Sequence, residues 1–288
     1  MKALIVINAY IKNKSQIMQA ERIAEELKAL GICAETRKNF NLAHIDGEGI
    51  RLGGDYDFCI YLDKDRVASR LLEGAGLRLF NTSQAIEICD DKMLTNAALA
   101  SHKIRVPYSI YAPLCYNADA KPDKNFLRET GEKLGYPLVA KTNFGSLGSG
   151  VTLIKNFEEL TAYESANLTT AHFYQKFTGK GGEDIRVIVV GGKYVCAMRR
   201  SNVNDFRSNI ELGGRGERVQ ADRALIALCE KVAKILELDY CGIDVLEDED
   251  GYCVCEVNSN AFFAAAERVC GVNVAKAYAE FVKITVGL

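Results

Sequence analysis

Leu138-Val139-Ala140-Lys141-Thr142-Asn143-Phe144-Gly145-Ser146-Leu147-Gly148-Ser149-Gly150-Val151 carries a short apolar strand into a lysine and then directly into a glycine- and serine-rich loop. A lysine at the end of a strand points its ammonium at whatever the next loop holds. Three glycines let backbone N–H groups turn inward and two serines add hydroxyl donors, which is how a loop cradles phosphate oxygens. No Gly-Lys-Ser/Thr follows, so this is not a P-loop, and the spacing is not the dinucleotide fingerprint. Taken alone, the segment is either a phosphate cradle or the flexible tip of a hairpin.

Toward the N-terminus, strand and helix signals alternate. Residues 3–8, 32–36, 57–62 and 77–80 read as strands. Ser15 opens a helical pattern with Ile17, Ala20, Ile23, Ala24, Leu27 and Leu30 on one face and Gly31 at its C-cap, and residues 66–73 form a second helix. The alternation predicts a small parallel sheet with helices on its faces. Residues 81–103 are predicted mostly helical, with Ile86, Leu94, Ala98 and Leu99 available for burial. Val106-Pro107 ends that run, which places a domain boundary near residue 105.

Toward the C-terminus, residues 184–190 and 193–199 form a hairpin around Gly191-Gly192. Residues 201–219 are a long polar segment with Arg207, Arg215 and Arg218, and a loop of that length is usually functional or disordered. A helix over 221–236, a second hairpin over 240–246 and 252–258, and a helix over 273–284 complete the chain.

The 288 residues suggest about two domains, and 48% hydrophobic with 26% charged residues is ordinary globular composition. Lysine plus arginine (36) nearly balances aspartate plus glutamate (38), for a net charge of −2, which argues against a protein that coats nucleic acid. No secretory signal and no apolar run of about 20 residues appears, so no membrane partner and a cytoplasmic location are expected. The ten cysteines are then reduced and mostly buried, and without a Cys-x-x-Cys they suggest no zinc site. Cys253 and Cys255 are assigned to the strand face opposite Glu256. His44, His102 and His172 lack ligand spacing.

Two further constellations carry chemistry. Glu256 and Asn258 lie two apart on one strand, so they share a face about 7 Å apart, and the turn at 247–251 pairs that strand with the one carrying Asp244. Two carboxylates and an amide make a hard-oxygen set of the composition Mg²⁺ takes beside substrate phosphates. Asp205-Phe206-Arg207-Ser208-Asn209, with Arg199 and Arg200 upstream and Arg186 on the neighbouring strand, is either a solvated basic loop or a set of guanidinium groups for phosphate oxygens.

In order, these segments resemble the ATP-grasp superfamily, and within it the RimK-type carboxylate–amine ligases, from about Asn81 to the C-terminus. The pieces are Asp91-Lys92, Pro137 to Lys141, the 145–150 loop, Gln175 to Phe177, Asp184 to Arg186, Val189 to Gly191, Asp205 to Asn209, Gly242 to Asp244 and Glu256 to Asn258. The resemblance implies two α+β subdomains clasping ATP after a small parallel α/β domain, divided as 1–105, a 106–178 lid and 179–288 with the metal site. It assigns Lys92 and Lys141 to ATP phosphates, with Gly145, Ser146 and Gly148 in the covering loop. Gln175, Lys176 and Phe177 become the hinge beside adenine, and Asp184 the ribose ligand. Arg207, Ser208 and Asn209 lie over the phosphates. Asp244, Glu256 and Asn258 bind two Mg²⁺ ions, with Mn²⁺ as a substitute. Lys141, Arg199 and Arg207 are the residues expected to act on the transferring phosphoryl group.

This chain departs from the family pattern at Lys176, where the family has glutamate, at Leu212, where it has arginine, and at Asn260-Ala261-Phe262, where it has a Pro-Gly turn. The implied activity is an ATP- and Mg²⁺-dependent ligase forming an amide through an acyl phosphate. Its substrates would be a small-molecule or peptide carboxylate and an amino-acid amine such as glutamate, with residues 9–15 and 201–219 touching the acceptor. Homo-oligomers are compatible with this. The alternatives are a nucleotide-binding regulatory or scaffold subunit without catalysis, and a phosphotransferase.

Overall fold

A computed structural model describes residues 1–12, 14–117, 119–210 and 213–287. Three main sheets follow one another along the chain. The first is parallel, in the order β2-β1-β5-β6, built from β1 (Lys2–Ile7), β2 (Cys33–Lys38), β5 (Phe58–Tyr61) and β6 (Arg78–Phe80). Strands β1 and β5 are buried almost throughout because helices cover both faces, so they read as continuous apolar runs. A short hairpin, β3 (Ala43–Ile45) with β4 (Ile50–Leu52), is inserted before β5. Its three-residue strands fall below the length at which alternation is visible in sequence.

Helix α1 (Lys14–Ala29) lies on this sheet through Ala20, Ile23 and Leu27. Ile17 was expected inward but is 39% exposed, while Gln16 and Gln19 are buried. Both glutamines reach backbone carbonyls, Gln16 that of Leu62 and Gln19 that of Ala261 at 3.1 Å. That pairing lets polar groups occupy the inner stripe. Helix α2 (Arg66–Gly74) begins at Asp65, whose carboxylate accepts from the N–H groups of Val67 and Ala68.

The single helical run expected over 81–103 is two helices, α3 (Ser83–Asp90) and α4 (Lys92–Ser101). Asp91 separates them: its backbone is extended and its carboxylate accepts from Met93 N and Leu94 N at 2.9 and 3.0 Å. The turn rotates Leu94 outward, to 53% exposure, and leaves Leu99 buried.

The second sheet, β7-β10-β8-β9, is antiparallel: β7 (Ser109–Tyr111), β8 (Leu138–Thr142), β9 (Val151–Ile154) and β10 (His172–Lys176). Helices α5 (Lys124–Leu134) and α6 (Phe157–Asn167) pack on one side of it through Leu127, Leu134 and Leu160. The third sheet, β13-β12-β11-β14-β15, comprises β11 (Glu183–Val190), β12 (Lys193–Ser201), β13 (Arg215–Arg218), β14 (Tyr240–Asp248) and β15 (Gly251–Asn258). The polar segment 201–219 is therefore partly strand. One face of this sheet packs on α3, α4 and α7 (Arg223–Ile235). The other packs on α8 (Ala264–Cys270) and α9 (Val274–Thr285), in a core continuous with α1 and the first sheet. No helix among the described residues is long and apolar enough to cross a membrane.

Asn81 staples the first sheet to the third. Its buried amide donates to the carbonyls of Tyr240 and Ser259 at 2.8 and 2.9 Å, and its oxygen accepts from the N–H groups of Asp239 and Tyr240 at 2.7 and 3.0 Å. Asn81→Ala strands these buried backbone groups, so urea unfolding should register a loss of about 3 kcal/mol.

The second sheet contains a buried polar cluster. His172 Nε2 lies 2.8 Å from Glu164, its Nδ1 lies 2.7 Å from the Thr170 carbonyl, and the Tyr174 hydroxyl donates to the same Glu164 carboxylate. Burial opposes both charges. The hydrogen bonds to Glu164 and Thr170 nevertheless raise the His172 pKa, and those from His172 and Tyr174 lower that of Glu164. The His172 contribution is thus full below its unfolded value near 6.5 and is lost as pH rises through the higher folded value; the Glu164 contribution is lost as pH falls. Melting temperatures from pH 5 to 8 should show the gap between wild type and His172→Gln shrinking as pH rises.

Candidate active site

Period-2 alternation on the third sheet decides what enters the cleft between the second and third sheets. Ile188, Cys196, Met198 and Tyr240 share a face that is apolar where α8 and α9 cover it. Continued to the uncovered end of the strands, that face presents Asp184 and Arg186 from β11, Arg200 from β12 and Asp244 from β14. The register sets Asp184 opposite Arg200 and Arg186 opposite Asp244.

These four side chains form one buried ladder. Arg200 pairs with Asp184 through Nε at 2.7 Å and through Nη2, and its Nη2 also lies 2.9 Å from Asp244. Arg186 forks onto both oxygens of Asp244, through Nε and through Nη2 at 2.8 Å. Burial alone would push the Asp244 pKa up, but the two guanidinium groups outweigh it and hold the carboxyl below its ordinary value. The same carboxylates raise Arg200 against its own burial.

The second sheet forms the opposite wall. Lys141, at the end of β8, is 8% exposed, and its Nζ lies 3.6 Å from Cys255 Sγ. Among the described residues no carboxylate comes within ion-pair distance of it. Lys92 is equally buried; its Nζ donates to the Gly145 carbonyl at 2.8 Å and lies 3.9 Å from Glu256. Burial outweighs that carboxylate and lowers the Lys92 pKa.

The glycine loop is tied over the cleft from two sides, by Lys92 on Gly145 and by Arg207 Nη1 on the Gly148 carbonyl at 2.9 Å. Gly150, at φ +72°, folds so tightly that a Cβ there would meet Thr142 Oγ1 at 2.1 Å. Asn143, which starts the loop, donates to both oxygens of Asp91, the residue that caps α4.

Most residues expected to contact nucleotide therefore converge: Lys92, Lys141, Gly145, Ser146, Gly148, Gln175, Lys176, Phe177, Asp184, Arg207, Ser208 and Asn209 all line this cleft, with Asp244 and Glu256. Asn258 opens onto an adjoining cavity that Glu256 also lines. The Lys176 N–H donates to the Tyr108 carbonyl at 2.8 Å, and its side chain is exposed.

Three placements differ from expectation. Arg199 projects to the other face of β12, where it meets Glu247 at 2.9 Å and Glu183 at 3.7 Å, and Arg200 takes the inward position. Asp184, expected to hold ribose hydroxyls, instead receives Arg200 and the Ser208 hydroxyl, the latter at 2.6 Å. Cys255 shares the cleft with Glu256, because a bulge in β15 leaves it without a partner on β14 and turns it inward. Alternation outward from Cys196 and Met198 would have selected Arg200; nothing in sequence marks the bulge. Leu212, one of the departures from the family pattern, lies outside the described residues.

A lysine- and arginine-lined cleft between two α+β lobes, covered by a glycine loop, is an ATP-grasp architecture. The model of the RimK-like ATP-grasp domain matches residues 89–282, more than half of the chain, and the chain belongs to that family. Membership places it among the ADP-forming acid–amino-acid ligases. It is 33% identical over 224 residues to the glutamate–LysW ligase ArgX of Sulfurisphaera tokodaii, covering 75% of this chain and 76% of that protein. It is 34% identical over 225 residues to beta-citrylglutamate synthase B of Homo sapiens, covering 76% of this chain but only 56% of the synthase. Among solved structures, the ATP-grasp ligase PsnB complexed with minimal precursor, Mg and ADP superposes with a TM-score of 0.70 at 18% identity, over 99% of this chain and 98% of that one.

The two neighbouring arginines should behave oppositely on substitution. Arg200→Ala leaves Asp184 without its cation and the buried Asp244 with Arg186 alone, and should cost about 3 kcal/mol in urea unfolding. Arg199→Ala breaks only half-exposed pairs and should change stability by less than about 1 kcal/mol.

Proposed function

We propose that the chain is an ATP- and Mg²⁺-dependent carboxylate–amine ligase. The observation that carries this reading is Lys141: a buried ammonium at the end of β8, lining the cleft, with a thiol beside it and, among the described residues, no carboxylate within ion-pair distance. A buried cation without an anion is costly, and a triphosphate under the glycine loop would compensate it. Lys92 and Arg207 already hold loop carbonyls and would bring that loop onto the same phosphates. Residues 106–178 would move as the lid, hinged where β10 ends at Lys176.

The donor set fits Mg²⁺, which takes one or two carboxylates and completes its shell with phosphates and water. Among the described residues no three His, Cys, Asp or Glu side chains could hold a metal by themselves, so phosphate oxygens would be required. Glu256 and Asn258 are the hard donors clear of the arginine ladder. Asp244 would join them by exchanging part of its guanidinium contact. Bound there, Mg²⁺ supplies the Lewis acid that neutralises charge on the phosphoryl group.

In this reading Lys141, Lys92 and Arg207 orient the triphosphate and stabilise the charge that develops as the acceptor carboxylate attacks the γ-phosphate. An acyl phosphate and ADP result. An amine then attacks the acyl carbon and expels phosphate, forming the amide. Arg200 acts from beneath, fixing Asp184 and Asp244. No side-chain nucleophile is needed; positioning and charge stabilisation suffice. Glutamate in the names of both relatives supports an α-amino acid, glutamate first, as the amine donor.

A hydroxamate trap tests the reading. With ATP, Mg²⁺, a panel of carboxylic acids and hydroxylamine, the wild type should release ADP and phosphate and form a hydroxamate. Glu256→Gln should lower that rate by about 10²–10³, and Lys141→Ala should weaken ATP binding as well. ADP release with a stable phosphoester would instead identify a phosphotransferase, and nucleotide binding with no ADP release for any acid would leave a binding subunit.

A further inference from the structure

The glycine loop is fixed at its base. Asn143 is pinned where the loop starts: its N–H donates to the Ala171 carbonyl at 2.9 Å, its carbonyl accepts from the Lys92 N–H at 3.0 Å, and its amide donates to Asp91. At the other end the Thr142 N–H donates to the Gly150 carbonyl at 2.9 Å, which closes the base. Leu147, near the tip, sits at φ +56°, a left-handed conformation that a leucine adopts only at a cost. The shape of the loop is therefore sustained by contacts from outside it rather than by local propensity.

Two of those contacts come from the cleft, Lys92 on Gly145 and Arg207 on Gly148. A third comes from the layer of the first sheet. Arg66, the first residue of α2, lays its guanidinium over the ring of Phe144, 4.6 Å from the centroid. Phe144 is the first loop residue past the pinned Asn143, and neither Phe144 nor Arg66 lines the cleft. Among the described residues Arg66 has no carboxylate within ion-pair distance. The adjacent Asp65 carboxylate is taken up by the N–H groups of Val67 and Ala68 and by the amide of Asn39. The helix macrodipole also opposes a cation in the first turn. Local electrostatics thus do not favour arginine here, whereas the face of an aromatic ring attracts a guanidinium.

We propose that Arg66 is a positioning residue: stacked on Phe144, it holds the glycine loop shut and so sets how fast nucleotide leaves the cleft. It acts through Phe144 and the loop, not through the phosphates. The proposal rests on the nucleotide-binding part of the ligase reading. In that reading phosphates draw Lys92 and Arg207 away from the loop carbonyls, and the Arg66 stack is a tie that persists when nucleotide is bound. An exposed cation–π contact shifts an equilibrium by a factor of about two to five.

Two measurements test it. Stopped-flow release of N-methylanthraniloyl-ADP in the presence of Mg²⁺ reads the nucleotide-bound loop. Hydrogen–deuterium exchange of peptides covering 143–151 reads the loop in nucleotide-free protein. Arg66 is exposed and Phe144 is 38% exposed, so Arg66→Ala and Phe144→Leu should keep the wild-type urea midpoint. Each should speed ADP release and loop exchange about two- to fivefold, whereas Phe144→Tyr, which keeps the ring, should match the wild type. The two residues form one contact, so the double variant should be no faster than the faster single variant. Unchanged release and exchange in both single variants overturns the proposal. So does a double variant whose effect is the product of the two, or Phe144→Tyr releasing ADP as fast as Phe144→Leu. Faster loop exchange in a protein that binds no nucleotide keeps Arg66 as the residue that positions the loop and removes the ligase reading. Hydroxamate formation with wild-type release and exchange in both single variants does the reverse.

Discussion

Arg200, buried between Asp184 and Asp244, and Arg186, forked onto Asp244 from the other side, hold the floor of the cleft, and the rest of the site depends on them. Asp184, Arg200, Asp244 and Arg186 come from three adjacent strands, and each charge is paired across a strand boundary. Taking four charges out of water is expensive, and it is offset only because the forks and carboxylates meet in register with hydrogen bonds on both oxygens of Asp244. Such a ladder adds little net stability compared with an apolar core, but it fixes where the strands stand. It leaves arginine N–H groups at the base of a site whose ligand would be a polyanion. The balanced charge of the whole chain conceals this arrangement, because opposite charges are segregated into the same buried plane rather than spread over the surface.

The other parts are tied to that floor by a few bonds of very different strength. The first sheet is joined to the third by the four buried hydrogen bonds of Asn81 and by a continuous core running from α1 to α9, so these two layers share one core. The second sheet has its own small core and reaches the third through the chain crossing after β10 and through the cleft residues. The glycine loop is held by carbonyl contacts from Lys92 and Arg207, groups that a phosphate would attract more strongly than a carbonyl does. Asp91 links the two systems, since it caps α4 and also receives Asn143 at the start of the loop.

Much of this was legible in the residues. The parallel first sheet followed from alternating strand and helix signals, and both hairpins of the third sheet followed from Gly191-Gly192 and the acidic turn at 247–251. Lys141 with its loop, and the pair Glu256 and Asn258, stood out because strand position and spacing restrict where a side chain can point. What was missed has physical causes. The helix break at Asp91 depends on a cap that competes with continued helix, and Asp is compatible with both. Gln16 and Gln19 are buried because carbonyls of Leu62 and Ala261 happen to lie over them, and those carbonyls are 46 and 242 residues away in the chain. The choice between Arg199 and Arg200 turned on strand register alone.

The sequence by itself determined which chemistry is present: lysines, glycines, arginines and hard oxygen donors in an order that resembles one family, on elements set by local periodicity. Tertiary structure decided which of those groups meet. Strand register on the third sheet set Arg200 between Asp184 and Asp244, and a one-residue bulge brought Cys255 to Lys141. These outcomes are set by contacts between residues far apart in the chain, and local propensity carries no information about them.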